Sequence, residues 1–385
     1  CGLSPDVGWL IGFRALQGLG AVMIAALGAA IVTEVFPSSE RGRALGIIGA
    51  IVSLGIALGP TVGGFLIAVS GWRLIFLVNV PIGIFASFVV ARSIPTGTAQ
   101  PGQRFDLLGL IILAITLFCF AMGMTFGQEQ GFTSSTSISL LSVAAIGLLG
   151  FVWLESRLKQ PMLDLYLFRN LYFSLSLLTG LLVFVVIAGA LLITPFFLEL
   201  VLHFSTRHVG LLLGFSPVLT GIVAPFAGQL SDRFGSRPIT LMGLLLLTIA
   251  CLSLSTLHEG MTDLEYLLRV VPFGIGMGMF QSPNNSAILG EVPPERLGIA
   301  SGLMALSRTL GQTAGYPLMG TIFALLTLQG TTATDVVNAA PGAMVAGVKG
   351  TFLIGAGIML VAGLLVALLW WMEKRKMKPL TGHKL

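Results

Sequence analysis

Two arginines, Arg14 and Arg308, lie inside long apolar runs. A guanidinium placed in hydrocarbon costs about 2.5–3.5 kcal/mol on insertion scales, and more when isolated. Such a group needs a water-filled cavity, a carboxylate, or a route along its own stem to the headgroups. On a helix Arg14 shares a face with Gln17, Gly18 and Ala21, roughly 10 Å into its run. It either faces a cavity or anchors the helix at the outer interface. Arg308 shares a face with Gln312 and Ser301 and lies deeper, which favours a cavity over a bracing role. Arg269 lies only a short way into its run and reads either as interfacial or as a motif residue like Arg14. Gln281, Asn284 and Asn285 cluster beside Pro283, where amides bond either a ligand or a partner helix. Phe196, Phe197 and Tyr316 are candidates for an apolar cavity wall.

Other chemistries find no residues to carry them. His203, His208, His258 and His383 fall outside the runs or near their ends and form no metal or catalytic constellation. GIGMG at 274–278 follows no strand, and GxxxxGK[ST] does not occur, so neither a nucleotide site nor ATP drive is expected. Cys1, Cys119 and Cys251 supply no CxxC pair. No nucleophile–base pair appears, so an enzyme is the least favoured class, and neither metal nor cofactor is expected.

The elements that position these residues follow from composition. Apolar residues make up 55% of the chain and charged residues 10%, with a mean hydropathy of +0.96. A soluble protein of this size would cover its core with far more charge. Instead there are runs near the length that crosses roughly 30 Å of hydrocarbon, where backbone groups must bond internally and helices result. Eleven spans are expected, at about 8–34, 44–69, 73–93, 107–126, 138–155, 171–197, 208–227, 238–257, 265–290, 298–325 and 346–372. The chain therefore reads as an all-α polytopic membrane protein.

The net charge of +5 is distributed by loop parity. One set of alternate loops holds Arg41, Arg43, Arg92, Arg104, Arg157, Lys159, Arg169, Arg233, Arg237 and Arg296, and the tail adds Lys374, Arg375, Lys376, Lys378 and Lys384. The opposite loops hold only Arg73, Arg207 and Lys349. The crowded side, with the C-terminus, is expected to be cytoplasmic. This ordering argues against nucleic acid as a partner and leaves weak contact of the tail with anionic lipid.

An internal repeat is visible. Arg14 precedes GLG at 18–20 and EVFPSSER at 34–41, while Arg269 precedes GIG at 274–276 and EVPPER at 291–296. Two matching halves are a common plan for transporters. The second half holds six spans, and its Arg269 span is the fourth. The Arg14 span comes at the very start, so three further spans are expected upstream of Cys1, giving fourteen in all.

ALGPTVGG at 57–64 places proline and glycines deep within a span. Gly55, Gly59 and Gly63 recur every fourth residue, a small-residue face that lets a neighbouring helix approach. Pro60 is expected to bend the helix, and Gly64 widens the flat surface. GQLSDRFGSRP at 228–238 is a compact loop motif. Gly228 and Gly235 allow a tight turn, and Asp232 is placed to accept from the first N–H groups of the next helix. Arg233 and Arg237 are expected at the headgroups or paired with carboxylates.

Together these stretches resemble the fourteen-span drug:proton antiporter family of the major facilitator superfamily. The Gly55–Gly59–Pro60–Gly63–Gly64 pattern is similar to that family's antiporter motif at all five defining positions. RALQGLGA at 14–21 resembles its fourth-span motif, GWRLIFLVNVPIG at 71–83 its sixth-span start, and Gly228–Arg237 the superfamily's cytoplasmic loop motif. Ser236 departs from the pattern, which usually has a second basic residue there. The resemblance implies two six-helix repeats, the first incomplete, with two inserted central helices. The corresponding parts are 1–93, 94–170, 171–373 and a basic tail at 374–385. It implies export of amphipathic or cationic drugs in exchange for protons across the plasma membrane, with protons as the coupling ion. Arg14, Gln17, Arg308, Gln312, Gln281, Asn284 and Asn285 then belong to coupling or cavity. Residues 228–237 belong to a cytoplasmic gate, and a periplasmic adaptor is a partner in some members. The equivalent stretch of the second half, around Ala314 and Gly315, lacks the Gly-Pro pair, so the bend is expected in one half only. Asp106, Glu129, Glu155, Asp164, Glu34 and Glu199 fall at loops or near span ends. The coupling acid is therefore expected upstream, and these 385 residues are expected not to transport alone. Export of one endogenous compound such as a siderophore or lipid, or a non-transporting scaffold or sensor, are the alternatives.

Overall fold

The computed structural model describes residues 1–37, 39–93, 106–158, 161–329, 331 and 335–376. Twelve α-helices occur among them: α1 (Val7–Val35), α2 (Arg41–Ser70), α3 (Arg73–Leu77), α4 (Asn79–Ser93), α5 (Leu107–Gln130), α6 (Ser135–Glu155), α7 (Leu171–Phe196), α8 (Thr206–Phe234), α9 (Ser236–Leu254), α10 (Asp263–Gly290), α11 (Leu297–Leu328) and α12 (Pro341–Lys376). All eleven expected spans fall on helices. The stretch 73–93 is divided in two. Pro81 has no N–H to give Leu77, and the Asn79 side chain takes the Ile75 carbonyl at 2.8 Å, so the ladder breaks between α3 and α4.

Local signals set the ends. Asp6, Asp106, Ser134, Asn170 and Ser205 each accept from the first turn of the helix they precede. Thr262 and Glu265 form a reciprocal capping box on α10. Gly235 alone joins α8 to α9, at φ +90°. That conformation disfavours any Cβ by roughly 1–2 kcal/mol. Gly235→Ala is accordingly expected to lower the melting temperature of the purified protein without abolishing folding. An unchanged melting curve would show that the turn carries no such demand.

Nine helical segments among the described residues are long and apolar enough to cross a membrane. The two long helices outside that set are α10 and α11, which carry Arg269, Gln281, Asn284, Asn285, Arg308 and Gln312. Their polar residues need an interior position, and packing supplies it. Helices α7 to α12 enclose two apolar cores, one around Phe197, Tyr266, Phe323 and Phe352, the other around Val186, Leu247, Phe280 and Met359. Against this bundle α2 packs along α8 and α10, α1 packs along α11, and the α5–α6 hairpin leans on α11. No residue of α4 is buried.

Small residues decide the close crossings, though at other places than expected. A Cβ on Gly311 or Gly315 of α11 would meet the carbonyl oxygens of Leu181 and Val185 of α7 at 2.6 and 2.5 Å. On α2, by contrast, no described atom lies within 4 Å of such a Cβ at Gly55, Gly59 or Gly63. The small-residue face of α2 that is covered begins nearer its start, at Gly42 and Gly46, against Gly228 and Ala224 of α8. α2 is helical throughout Arg41–Ser70, and the surroundings of Pro60 and Gly64 lie outside what is described. α11 carries Pro317 inside the helix, with Gly311, Gly315 and Gly320 around it. The contiguous Gly-Pro pair is absent there, Tyr316 standing between Gly315 and Pro317.

Candidate functional site

Between α2 and the α7–α12 bundle lie two adjoining cavities of about 380 and 600 Å³. Volumes of this order suit small organic ligands. The first is bounded by the start of α8 (Leu213, Ser216, Thr220), the start of α10 (Tyr266, Val270) and the end of α7 (Thr194). The second is bounded by the start of α2 (Leu45, Ile48), the start of α11 (Ser301) and the end of α10 (Asn285). They meet at Val52, Phe184, Gln281 and Arg308, which border both.

The sequence candidates separate by place. Arg308, Gln312 and Gln281 line the first cavity, and Arg308, Gln281 and Asn285 the second. Asn284 is buried and its amide reaches the Ser176 carbonyl of α7, so it joins helices. Arg14 and Gln17 stand apart from these cavities. Both are exposed, with Arg14 Nη1 donating to Gln17 Oε1 at 3.0 Å and its guanidinium 5.9 Å from the Phe76 ring. Arg269 donates to Thr256 Oγ1 and the Glu265 carbonyl near the start of α10. Phe197 is packed in the apolar core, while Phe196 and Tyr316 are partly exposed. Phe184, Phe273 and Tyr266 supply the aromatic wall instead. Nothing in the spacing of these common residues marked them out.

The loop motif acts across the molecule. Asp232 was expected to cap the next helix. It accepts instead from the backbone N–H groups of Gly42 and Arg43, at 2.7 and 2.9 Å, at the start of α2 in the other half. A carboxylate there meets both free donors and the positive end of the helix dipole. Ser282 Oγ of α10 donates to the Gly42 carbonyl at 2.9 Å. Gly228 does not form the turn. It lies within α8, where a Cβ would stand 2.0 Å from the Gly42 carbonyl oxygen, so only glycine lets the two backbones touch. The start of α2 is thus held from three sides by the second half.

Arg237 was expected at the headgroups or on carboxylates, and the second holds. It is buried, donating to Glu291, just past the end of α10, at 2.9 Å and paired with Glu373 of α12 at 2.5 Å, with Tyr172 beneath at 4.5 Å. Asn170 donates to the other Glu291 oxygen at 3.0 Å. This network braces one bundle, and the contact between halves belongs to Asp232. Ser236 accepts from Ser231 Oγ at 3.0 Å, and Arg233 is exposed beside Phe234. Arg296 pairs with Asp164. Gly42, Ser282, Glu291 and Glu373 escaped the sequence reading as partners, although Glu291 opens the repeated Glu-Val-Pro turn.

A helical membrane protein with a cavity between two bundles, and a backbone clasp closing one end of it, has the build of a transporter. The Major Facilitator Superfamily profile matches residues 1–316, and the chain belongs to that superfamily. It is 35% identical over 325 residues to multidrug resistance protein Stp of Mycobacterium tuberculosis, covering 84% of this chain and 60% of Stp. It is 32% identical to riboflavin transporter RibZ of Clostridioides difficile, covering 84% of this chain and 70% of RibZ. The human organic anion transporter MFSD10 shares the fold at a TM-score of 0.57 and 18% identity, covering 89% of this chain and 67% of MFSD10. The chain thus spans well under two thirds of the length of Stp.

Proposed function

We propose that this chain is part of a proton-driven exporter of amphipathic compounds that works by alternating access in the plasma membrane. The observation that carries the reading is the clasp of Asp232 and Ser282 on the start of α2, beside a cavity lined by both halves. Rocking the halves apart breaks hydrogen bonds at one end only, so access to Arg308 and Gln281 changes side. The basic loops favour a cytoplasmic position for the clasped end, together with the C-terminal end of α12. Trp153, Trp370 and Trp371, each with a cation within 5.2 Å of its ring, suit a headgroup boundary at that end. A multidrug resistance protein among the relatives supports the compound class. A riboflavin transporter among them favours, as the second reading, a single flat metabolite in the same cavity.

The test uses the full-length gene product in everted membrane vesicles acidified by respiration. Adding a transported compound is expected to release protons from the lumen, seen as dequenching of a pH dye, and to load the compound into the vesicle. Loading that survives an uncoupler would remove proton drive. Absence of loading for every compound would remove the exporter reading. Competition between dyes and riboflavin would separate the two substrate readings.

A further inference from the structure

We infer that the cavity is built for organic anions: a flat apolar body with a carboxylate, sulfonate or phosphate seated on Arg308. The inference rests on the exporter reading for its transport arm only. Arg308 is the single charged side chain bordering either cavity among the described residues. It is partly buried in the middle of α11 and makes no hydrogen bond or ion pair among the described residues. A partly buried guanidinium with no partner among the described residues leaves its donors open, and its planar fork matches the two oxygens of an acid group. Its positive charge favours an acid group placed on it.

The surroundings fit the rest of such a ligand. Gln281 stands at the same junction, Gln312 lines the first cavity one helical turn on from Arg308, and both can donate further hydrogen bonds to the acid group. Phe184 borders both cavities beside Arg308, and Phe273, Met277, Ile187 and Ile56 extend the apolar wall on one side. A flat ring system fills that wall while its charged edge meets Arg308. Because Arg308 borders both cavities, the acid group stays on its partner while the wall opens on one side or the other. This sets an anionic substrate class against the amphipathic-or-cationic expectation.

The experiment measures binding first. The full-length protein in neutral-lipid nanodiscs is titrated with three xanthene dyes of like size, one a carboxylate, one its methyl ester, one a cation, read by fluorescence polarisation. The wild type is expected to bind the carboxylate about tenfold or more tighter than the other two, the discrimination expected of a charge-assisted bond. Arg308→Gln is expected to erase that preference while retaining the ester's affinity, and Arg308→Lys to keep part of it. Wild-type affinity for the cation equal to that for the carboxylate would overturn the inference, as would binding of none of the three. Equal loss of all three dyes in Arg308→Gln would also overturn it and make Arg308 a brace. Everted vesicles then separate the two readings: a carboxylate that binds through Arg308 yet is never transported sinks export and leaves the anion site standing.

Discussion

Asp232→Ala is expected to lower export by an order of magnitude or more while the protein still reaches the membrane. The substitution strips the acceptor from two backbone donors, Gly42 N–H and Arg43 N–H, and a charge from the dipole of α2. Together these are worth about 2–3 kcal/mol. That corresponds to on the order of a hundredfold change in the balance between clasped and released arrangements. Asp232→Asn, which keeps one acceptor oxygen, falls between. Labelling of a cysteine placed at Ser301, on the wall nearer the clasp, reads the balance directly: faster labelling in Asp232→Ala is expected. Wild-type labelling and wild-type export in that variant would show the contact to be idle.

Gly315→Leu is expected to prevent accumulation of folded protein. A Cβ at 315 already meets the Val185 carbonyl at 2.5 Å and the Ala188 Cβ at 2.8 Å. Leucine adds three more carbons to that crossing and must drive α7 from α11, at about 3 kcal/mol or more. Gly59→Leu in the same 385-residue chain meets no described atom within 4 Å and is expected to fold as well as the wild type. Detergent-extracted material run on size exclusion compares the two. A monodisperse Gly315→Leu peak of normal height would refute the packing account.

The contrast between these glycines shows where sequence reading worked and where it stopped. Helix positions were legible because hydrocarbon permits only one backbone solution for apolar runs of this length. The polar residues of α10 and α11 were legible for the same reason, since Arg308, Gln281 and Gln312 have no place facing lipid. Partners were not. Asp232 looked like a cap for its nearest helix, because a carboxylate near a helix start usually is one. Its actual partners stand 190 and 189 residues away. Gly228 and Gly42 contact each other backbone to backbone, which no spacing within either segment announces. The glycine stripe at 55–63 was read as a surface for close approach, yet among the described residues nothing approaches it, and the stripe on α11 is the one so used.

The lone guanidinium at the cavity junction also has an electrical consequence. A cation leaving in exchange for one incoming proton moves no net charge, so membrane voltage neither helps nor opposes it. A monoanion leaving in exchange for one proton moves the equivalent of two positive charges inward. Each gains about 2.3 kcal/mol per 100 mV of inside-negative voltage. An exporter of anions built around Arg308 would therefore keep running on voltage after the pH difference has gone, and would stall when potassium and valinomycin clamp the voltage to zero at matched pH.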